Sequence, residues 1–256
     1  MNKKLKKLVS GTSVTLCALI AFSLPTQVFA QNLPINTEVK TQTPNEEQSS
    51  DGYKTGNILS EIKDERDEYS KQFRLDDGTT MAVSYQEPIH YKNAAGEWVD
   101  YDNSLKNETV NSASPDEVTE EYTNKKSDFK VNYSKKSKEN SMVKIKGDNQ
   151  KISWGYKDTN KVRSTIVNND EKLTGNDKFT TLKNLTSEIT YENIYDDVDV
   201  QYFTTTTGVK ENIILKNKNA RSDFYIQYKF NNLTAKSVDD KTVELLNSKG
   251  DAVYKI

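Results

Sequence analysis

Hydrophobic and polar residues alternate along much of the chain after residue 72, and this pattern predicts short β-strands. Between Thr79 and Tyr85, for example, Met81, Val83 and Tyr85 fall on one face. A two-residue period is that of a strand with one buried face. The pattern recurs at 129–133, 189–191, 198–203, 210–215, 224–230 and 242–246. Short strands separated by turn residues predict packed antiparallel sheets, as in a β-sandwich.

Turn residues between neighbouring strands predict three β-hairpins, at 73–85, 88–101 and 142–154. The first turns at Asp76-Asp77-Gly78, and Asp-Gly between two alternating runs is a strong hairpin signal. The intervening polar residues 106–127 predict a loop. Most of the regular structure is therefore expected to form between residues that are close in sequence.

One segment has helical spacing instead. Ile58, Leu59, Ile62 and Tyr69 recur at about three to four residues, with charged residues between them. This spacing predicts a helix over 57–72. The predicted fold class is mainly β, with one or more antiparallel β-sandwich-like modules and one N-terminal helix.

The first 30 residues have the composition of a signal peptide. Four lysines precede a mostly apolar run from Val9 to Leu24, and Val28-Phe29-Ala30 offers the small residues that signal peptidase requires. Residues 31–56 are polar and carry Pro34 and Pro44, which predicts a disordered spacer. We therefore expect a secreted or cell-wall protein with no membrane attachment after signal cleavage.

Two folded regions are expected after the spacer. Residues 57–160 predict a region of helix and hairpins, and residues 161–256 predict a β-sandwich-like module. The final strand, 253–256, should pair with 242–246 across a turn that ends at Gly250. No strand follows it, so we expect the second module to be truncated at its C-terminus.

Composition narrows the chemistry. The formal charge is −2, with charges of both signs interspersed, so no basic groove for nucleic acid is predicted. The single cysteine, Cys17, lies in the predicted signal peptide, which leaves no disulfide, thiolate metal site or cysteine nucleophile. No motif indicates a cofactor.

No catalytic or metal-binding set emerges from the motifs. His90 is the only histidine, and no serine-nucleophile motif accompanies it, so it is interpreted as a packing or sheet-surface residue. Asp196, Asp197 and Asp199 offer oxygen ligands, but their spacing lacks that of a calcium loop. They are interpreted as a solvated approach to a strand. We therefore expect a protein that is not an enzyme.

Aromatic residues supply the one candidate binding surface. Trp98, Tyr101 and Trp154 are candidates for contact with glycan, because exposed aromatic rings on β-sheets stack on sugar rings. The same residue types are also favoured in strands as core residues. Both interpretations remain open from the sequence.

Two stretches resemble the N-terminal β-rich region of secreted wall-associated RHS/YD-repeat proteins of Gram-positive bacteria. The first comprises Phe73-Arg-Leu-Asp-Asp-Gly, Pro88-Ile-His-Tyr-Lys and Gly96-Glu-Trp-Val-Asp-Tyr-Asp-Asn. The second comprises Tyr191-Glu-Asn-Ile-Tyr, Asp197-Val-Asp-Val-Gln-Tyr, Gly208-Val-Lys-Glu-Asn-Ile and Phe224-Tyr-Ile-Gln-Tyr-Lys-Phe. The resemblance implies a much longer protein, in which YD repeats follow and a variable toxin domain often ends the chain.

The resulting hypothesis is a non-catalytic extracellular module of an RHS-type surface or toxin-delivery protein, acting in display or assembly. Its expected partners are a cell-wall polymer or downstream parts of the same protein, and not nucleic acid. A glycan-binding β-sandwich module is the alternative, and a secreted hydrolase is a third.

Overall fold

Strands make up nearly all the regular structure in the computed structural model, which describes residues 14–21, 56–111, 118–138, 141–147, 149–168 and 182–256. The predicted signal peptide (1–30) and spacer (31–56) lie outside these residues, apart from the first strand and Gly56. The strands of the first half are β1 (Val14–Ala21), β2 (Ile58–Glu61), β3 (Ser70–Leu75), β4 (Thr80–Ser84), β5 (His90–Lys92), β6 (Trp98–Asp100), β7 (Asp102–Asn111), β8 (Val118–Lys126) and β9 (Lys130–Ser134). Those of the second half are β10 (Val143–Lys146), β11 (Lys151–Tyr156), β12 (Ser164–Asn168), β13 (Ser187–Tyr195), β14 (Val198–Thr204), β15 (Val209–Leu215), β16 (Asp223–Asn231), β17 (Thr234–Ser237), β18 (Val243–Leu246) and β19 (Ala252–Lys255).

Two large antiparallel sheets dominate the architecture. One has seven strands in the order β1-β16-β11-β10-β9-β8-β7, and the other has four in the order β12-β13-β14-β15. Three smaller sheets comprise β2-β3-β4, β5-β6 and β17-β18-β19. The prediction of a mainly β, antiparallel fold is confirmed.

The core lies between the two large sheets. In the seven-stranded sheet, Tyr133, Val143, Trp154 and Tyr228 occupy directly opposed positions on four neighbouring strands. In the four-stranded sheet, Val198, Val200 and Tyr202 alternate with less buried residues along β14. All of these residues belong to one buried hydrophobic cluster. The period of two along each strand therefore places one face of each sheet in the sandwich core.

Aromatic rings and hydroxyl groups connect the two sheets. The Tyr202 ring lies edge-on to Tyr191 and to Trp154, with centroid separations of 6.2 Å in both cases. The Tyr191 hydroxyl donates a hydrogen bond of 2.5 Å to the Ser134 backbone carbonyl. Buried tyrosines need such partners because an unpaired buried hydroxyl is costly.

The predicted hairpins are present. Asp76-Asp77-Gly78 connects β3 to β4, and Gly78 has a φ of 83°, a conformation that favours glycine. The second hairpin is β5–β6, and the third is β10–β11. β18 and β19 also pair as predicted. These elements depend on local turn chemistry, which the sequence displays directly.

Two local predictions are wrong. Residues 57–72 contain no helix; they form β2, a 3₁₀ turn at Lys63–Glu65 and the start of β3. Ile58 pairs with Leu75 in a strand ladder, so tertiary pairing overrides a weak helical spacing. The polar segment 106–127 is not simply a loop, because it contains most of the β7–β8 pair.

The described part of the chain contains no helix with the length and apolar character that a membrane span requires.

Candidate functional site

The structure separates the three aromatic residues that were predicted to contact glycan. Trp98 lies on β6 and Tyr101 follows it, in the part of the chain formed by the small sheets. Trp154 lies on β11 in the seven-stranded sheet. Tyr101 lines one cleft and Trp154 lines another, so the three do not form one surface.

Trp98 and Tyr101 are both engaged by neighbouring side chains. The Lys92 ammonium lies 4.9 Å from the centre of the Trp98 ring, in a cation–π contact. Tyr101 is buried and packs against Tyr91, with ring centres 5.0 Å apart. The Tyr101 ring is therefore closed to a sugar, and Lys92 covers one face of the half-buried Trp98 ring.

The cleft beside Trp154 combines aromatic walls with a carboxylate. It has a volume of about 590 Å³ and lies between the start of β15 and the end of β19. Glu211, on β15, accepts a hydrogen bond of 2.8 Å from the Tyr156 hydroxyl and one of 3.4 Å from Trp154 Nε1. Tyr228 and Tyr254 also line the cleft. We call this site the Glu211 cleft.

Burial raises the pKa of Glu211, and the neighbouring polar groups of Tyr202, Tyr156 and Trp154 partly oppose that rise. The side chain nevertheless keeps some contact with solvent. The alternation of β15 explains its position, because Val209, Glu211 and Ile213 share one face and both neighbours pack on the core. A charge at an inward-facing position of an alternating strand was therefore a visible signal in the sequence.

A second cluster gathers charged residues from β2, β3, β5 and β6. Arg66 pairs with Glu61 at 2.6 Å and with Asp100 at 3.2 Å, and Lys71 lies 3.1 Å from Asp100. The interaction with His90 is the main cause that holds the pKa of Asp100 well below its usual range. Lys71 and Arg66 act in the same direction, while partial burial opposes them.

His90 is fully buried in this cluster. Its Nδ1 lies 2.6 Å from the Asp67 backbone carbonyl, so Nδ1 carries a proton and donates. Its Nε2 lies 3.4 Å from Asp100 Oδ1 and can donate there only in the doubly protonated imidazolium. His90 therefore connects β5 to the segment before β3, and its Nε2 faces Asp100. The interpretation of His90 as a packing residue agrees with this burial, whereas a position on the sheet surface does not.

Two of the three aspartates near β14 have side-chain partners within the protein. Asp199 accepts a hydrogen bond of 2.6 Å from the Asn193 backbone and pairs with Lys216 at 2.7 Å. Asp196 accepts one of 3.3 Å from Asn160. Within the described part of the chain, no three His, Cys, Asp or Glu residues are grouped so that they could hold a metal ion.

Comparison with known proteins identifies three relatives, each 26% identical to this chain. The tRNA nuclease WapA of Bacillus subtilis strain 168 matches over 201 residues, which is 78% of this chain and 8% of the relative. The tRNA3(Ser)-specific nuclease WapA of Bacillus spizizenii matches over 220 residues, 84% of this chain and 9% of the relative. The tRNA(Glu)-specific nuclease WapA of B. subtilis subsp. natto covers 78% of the chain. The chain thus spans less than a tenth of the length of these relatives.

No family model matches the chain, and no solved structure matches it. The similarity to WapA proteins agrees with the resemblance to RHS-type wall-associated proteins and with an extracellular or cell-wall location.

The names of the relatives contradict three expectations. The relatives are named as nucleases, which contradicts the expectation of a non-catalytic display or assembly module. The same names contradict the expectation that the protein is not an enzyme. They act on tRNA, which contradicts the expectation of no nucleic-acid partner. Interspersed charge led to the expectation of no nucleic-acid partner, and the lack of a catalytic motif led to the expectation that the protein is not an enzyme. The chain is similar to the WapA tRNA nucleases of Bacillus.

Proposed function

We propose that this chain forms part of a secreted nuclease toxin of the WapA kind, which cleaves tRNA and carries RHS-type repeats elsewhere in its polypeptide. The observation that carries the proposal is the similarity of 78–84% of the chain to proteins named as tRNA nucleases. The chain spans only 8–9% of those relatives. The proposal therefore concerns the whole polypeptide that contains this sequence.

Within that polypeptide, this segment contacts glycan at its solvent-accessible, aromatic-lined cleft, the Glu211 cleft. Of the three aromatic residues considered from the sequence, Trp154 is the one whose surroundings support ligand binding, since it lines the Glu211 cleft. Trp98 and Tyr101 instead pack within the small sheets.

The nuclease proposal is tested on the natural gene product. An affinity tag inserted at the exposed turn Asp239-Asp240, between β17 and β18, recovers the polypeptide that contains this sequence from its own cells. The recovered protein is incubated with total tRNA, and the cleaved ends are mapped by sequencing. We expect endonucleolytic cuts at defined positions in one or a few tRNA species.

A matched preparation from a strain whose gene lacks the tag controls for contaminating ribonucleases. Intact tRNA after incubation with the full-length product, under conditions in which the protein remains folded, would overturn the nuclease proposal.

A further inference from the structure

The carboxylate of Glu211 lies among aromatic rings without a cation beside it. Its hydrogen-bond donors are neutral: the Tyr156 hydroxyl at 2.8 Å and the Trp154 indole at 3.4 Å. In the described residues, none of the ion pairs formed by lysine, arginine or histidine includes Glu211. Asp100, Glu121 and Asp199, by contrast, each have a cationic partner.

A carboxylate in this position is costly to the protein alone. Transfer of a charge out of water is unfavourable unless an opposite charge accompanies it. The rings of Trp154, Tyr228 and Tyr254 line the same cleft, and Trp154 stacks on Tyr228 at 5.9 Å. Aromatic faces and a carboxylate attract the same kind of group, namely an organic cation.

The site is open enough to admit such a group. Its volume of about 590 Å³ falls in the range of small-molecule sites, and its wall formed by 253–256 is partly exposed. Gly208 and Val209 form the opposite side at the start of β15. A ligand between β15 and β19 would therefore contact apolar and aromatic residues together with the Glu211 carboxylate.

We propose that the Glu211 cleft binds a ligand that carries an organic ammonium group, and that this ligand is a non-acetylated amino sugar of the cell wall. The ammonium group pairs with Glu211, and the apolar face of the sugar ring packs on the aromatic walls. The inference deepens the proposed glycan contact, and it rests on that proposal only for the source of the ligand. It is independent of the nuclease activity.

The groups that face Glu211 set the expected pH dependence. Tyr156, Tyr202 and Tyr228 are neutral below their pKa values, which burial raises above the usual range of tyrosine. Lys255 lines the cleft from β19 as the other charged residue. Glu211 is thus the group whose charge changes on acidification, and its protonation removes the anion that the ligand requires. Affinity should fall as the pH falls, beginning above the usual glutamate value of 4.5.

The experiment uses Trp154 as its own reporter. In a Trp98→Phe background, Trp154 is the only tryptophan, so its fluorescence reports on the cleft. The purified protein is titrated with glucosamine, N-acetylglucosamine and alanine methyl ester at neutral pH. We expect a saturable change with glucosamine and at least about tenfold weaker binding of N-acetylglucosamine, which lacks the charge. Alanine methyl ester tests whether an ammonium group without a sugar ring suffices.

Two variants complete the test. Glu211→Gln keeps the side-chain shape and removes the charge, and it should weaken glucosamine binding by at least about tenfold. Glu192→Gln, at an exposed position of β13, should leave binding unchanged. Circular dichroism and thermal unfolding establish that both variants are folded, and acid titration of the parent protein provides a readout that needs no variant at Glu211.

Equal binding of glucosamine and N-acetylglucosamine would overturn the proposal, as would retention of affinity in Glu211→Gln or a lack of saturable binding. Alanine methyl ester binding as tightly as glucosamine would overturn the assignment to an amino sugar. None of these outcomes affects tRNA cleavage, so failure here is distinguishable from failure of the nuclease proposal.

Discussion

The Tyr133 hydroxyl and the Thr204 hydroxyl lie 2.8 Å apart and form a hydrogen bond between the two large sheets. Both residues are fully buried. The bond joins β9 to the last residue of β14, where the four-stranded sheet turns toward β15. Because water cannot replace either partner, each hydroxyl depends on the other.

Tyr133→Phe should therefore destabilise the protein by about 1–3 kcal/mol, since it leaves the Thr204 hydroxyl buried without this partner. Urea unfolding at neutral pH measures the change. Tyr225→Phe is the matched control, because Tyr225 is exposed on β16, and it should change stability by less than about 0.5 kcal/mol. The double variant Tyr133→Phe/Thr204→Val should recover part of the loss. If the stability losses of Tyr133→Phe and Thr204→Val simply add in the double variant, the two hydroxyls do not interact.

Asp100 should contribute stability that disappears in acid. Its folded pKa lies well below its unfolded value because of His90, Lys71 and Arg66, so the unfolded chain binds more protons on acidification. The contribution is present above the unfolded value, near 3.8, and declines as the pH falls toward the folded value. Between neutral pH and pH 2, the unfolding temperature of Asp100→Asn should fall less steeply with decreasing pH than that of the parent protein. Asp240→Asn, in an exposed turn, should reproduce the parent profile.

Gly78 should resist replacement by residues that disfavour positive φ. With φ at 83° and no atom near the position of an added Cβ, the constraint is conformational and not steric crowding by neighbours. Gly78→Ala should cost about 1–2 kcal/mol, and Gly78→Asn less, because asparagine tolerates this region better. Equilibrium unfolding measures both variants. Equal cost for alanine and asparagine would argue that another property of the turn matters.

Glu211 should make the parent protein less stable as the pH rises. Its folded pKa is raised above the unfolded value near 4.5, so the folded protein holds the proton in the interval between them. Stability therefore decreases as the pH rises through that interval and is constant above it. Glu211→Gln should remove this slope and unfold at an equal or higher temperature at pH 8. If the unfolding temperatures of the parent protein and Glu211→Gln change with pH in the same way between pH 4 and pH 8, the raised pKa assigned to Glu211 is contradicted.

The hairpins were predictable because turn residues adjacent in sequence determine them. Ion pairs between residues distant in sequence leave no such local pattern. Asp77-Gly78 fixes a turn within a few residues. Arg66, however, acquires its role from Asp100, which is distant in sequence, and the pair joins two small sheets. Charges spaced along 57–72 were interpreted as the exposed side of a helix. Several of them are instead the ionic contacts that hold a non-helical segment in place.

The β7–β8 pair was missed because buried polar residues of β8 have partners on neighbouring parts of the sheet. Glu121 is almost completely buried on β8, where it pairs with Lys144 of β10. Asn124 accepts from the Val131 backbone and donates to the Phe129 carbonyl. A polar residue with a buried partner has no hydrophobic signature, so a pattern based on apolar positions passes over it. Glu211 differs, because its apolar neighbours on β15 marked its face as inward.

The position of β16 constrains the order in which this protein can fold. β16 lies beside β11 in the seven-stranded sheet, and Tyr228 pairs with Trp154 about 70 residues earlier in the chain. The four-stranded sheet that covers the core is built from the residues between them. Contacts of such long sequence separation close slowly, since the chain between them must first be confined. A chain that emerges N-terminus first therefore lacks β16, and with it part of its native core, until residue 231 is free.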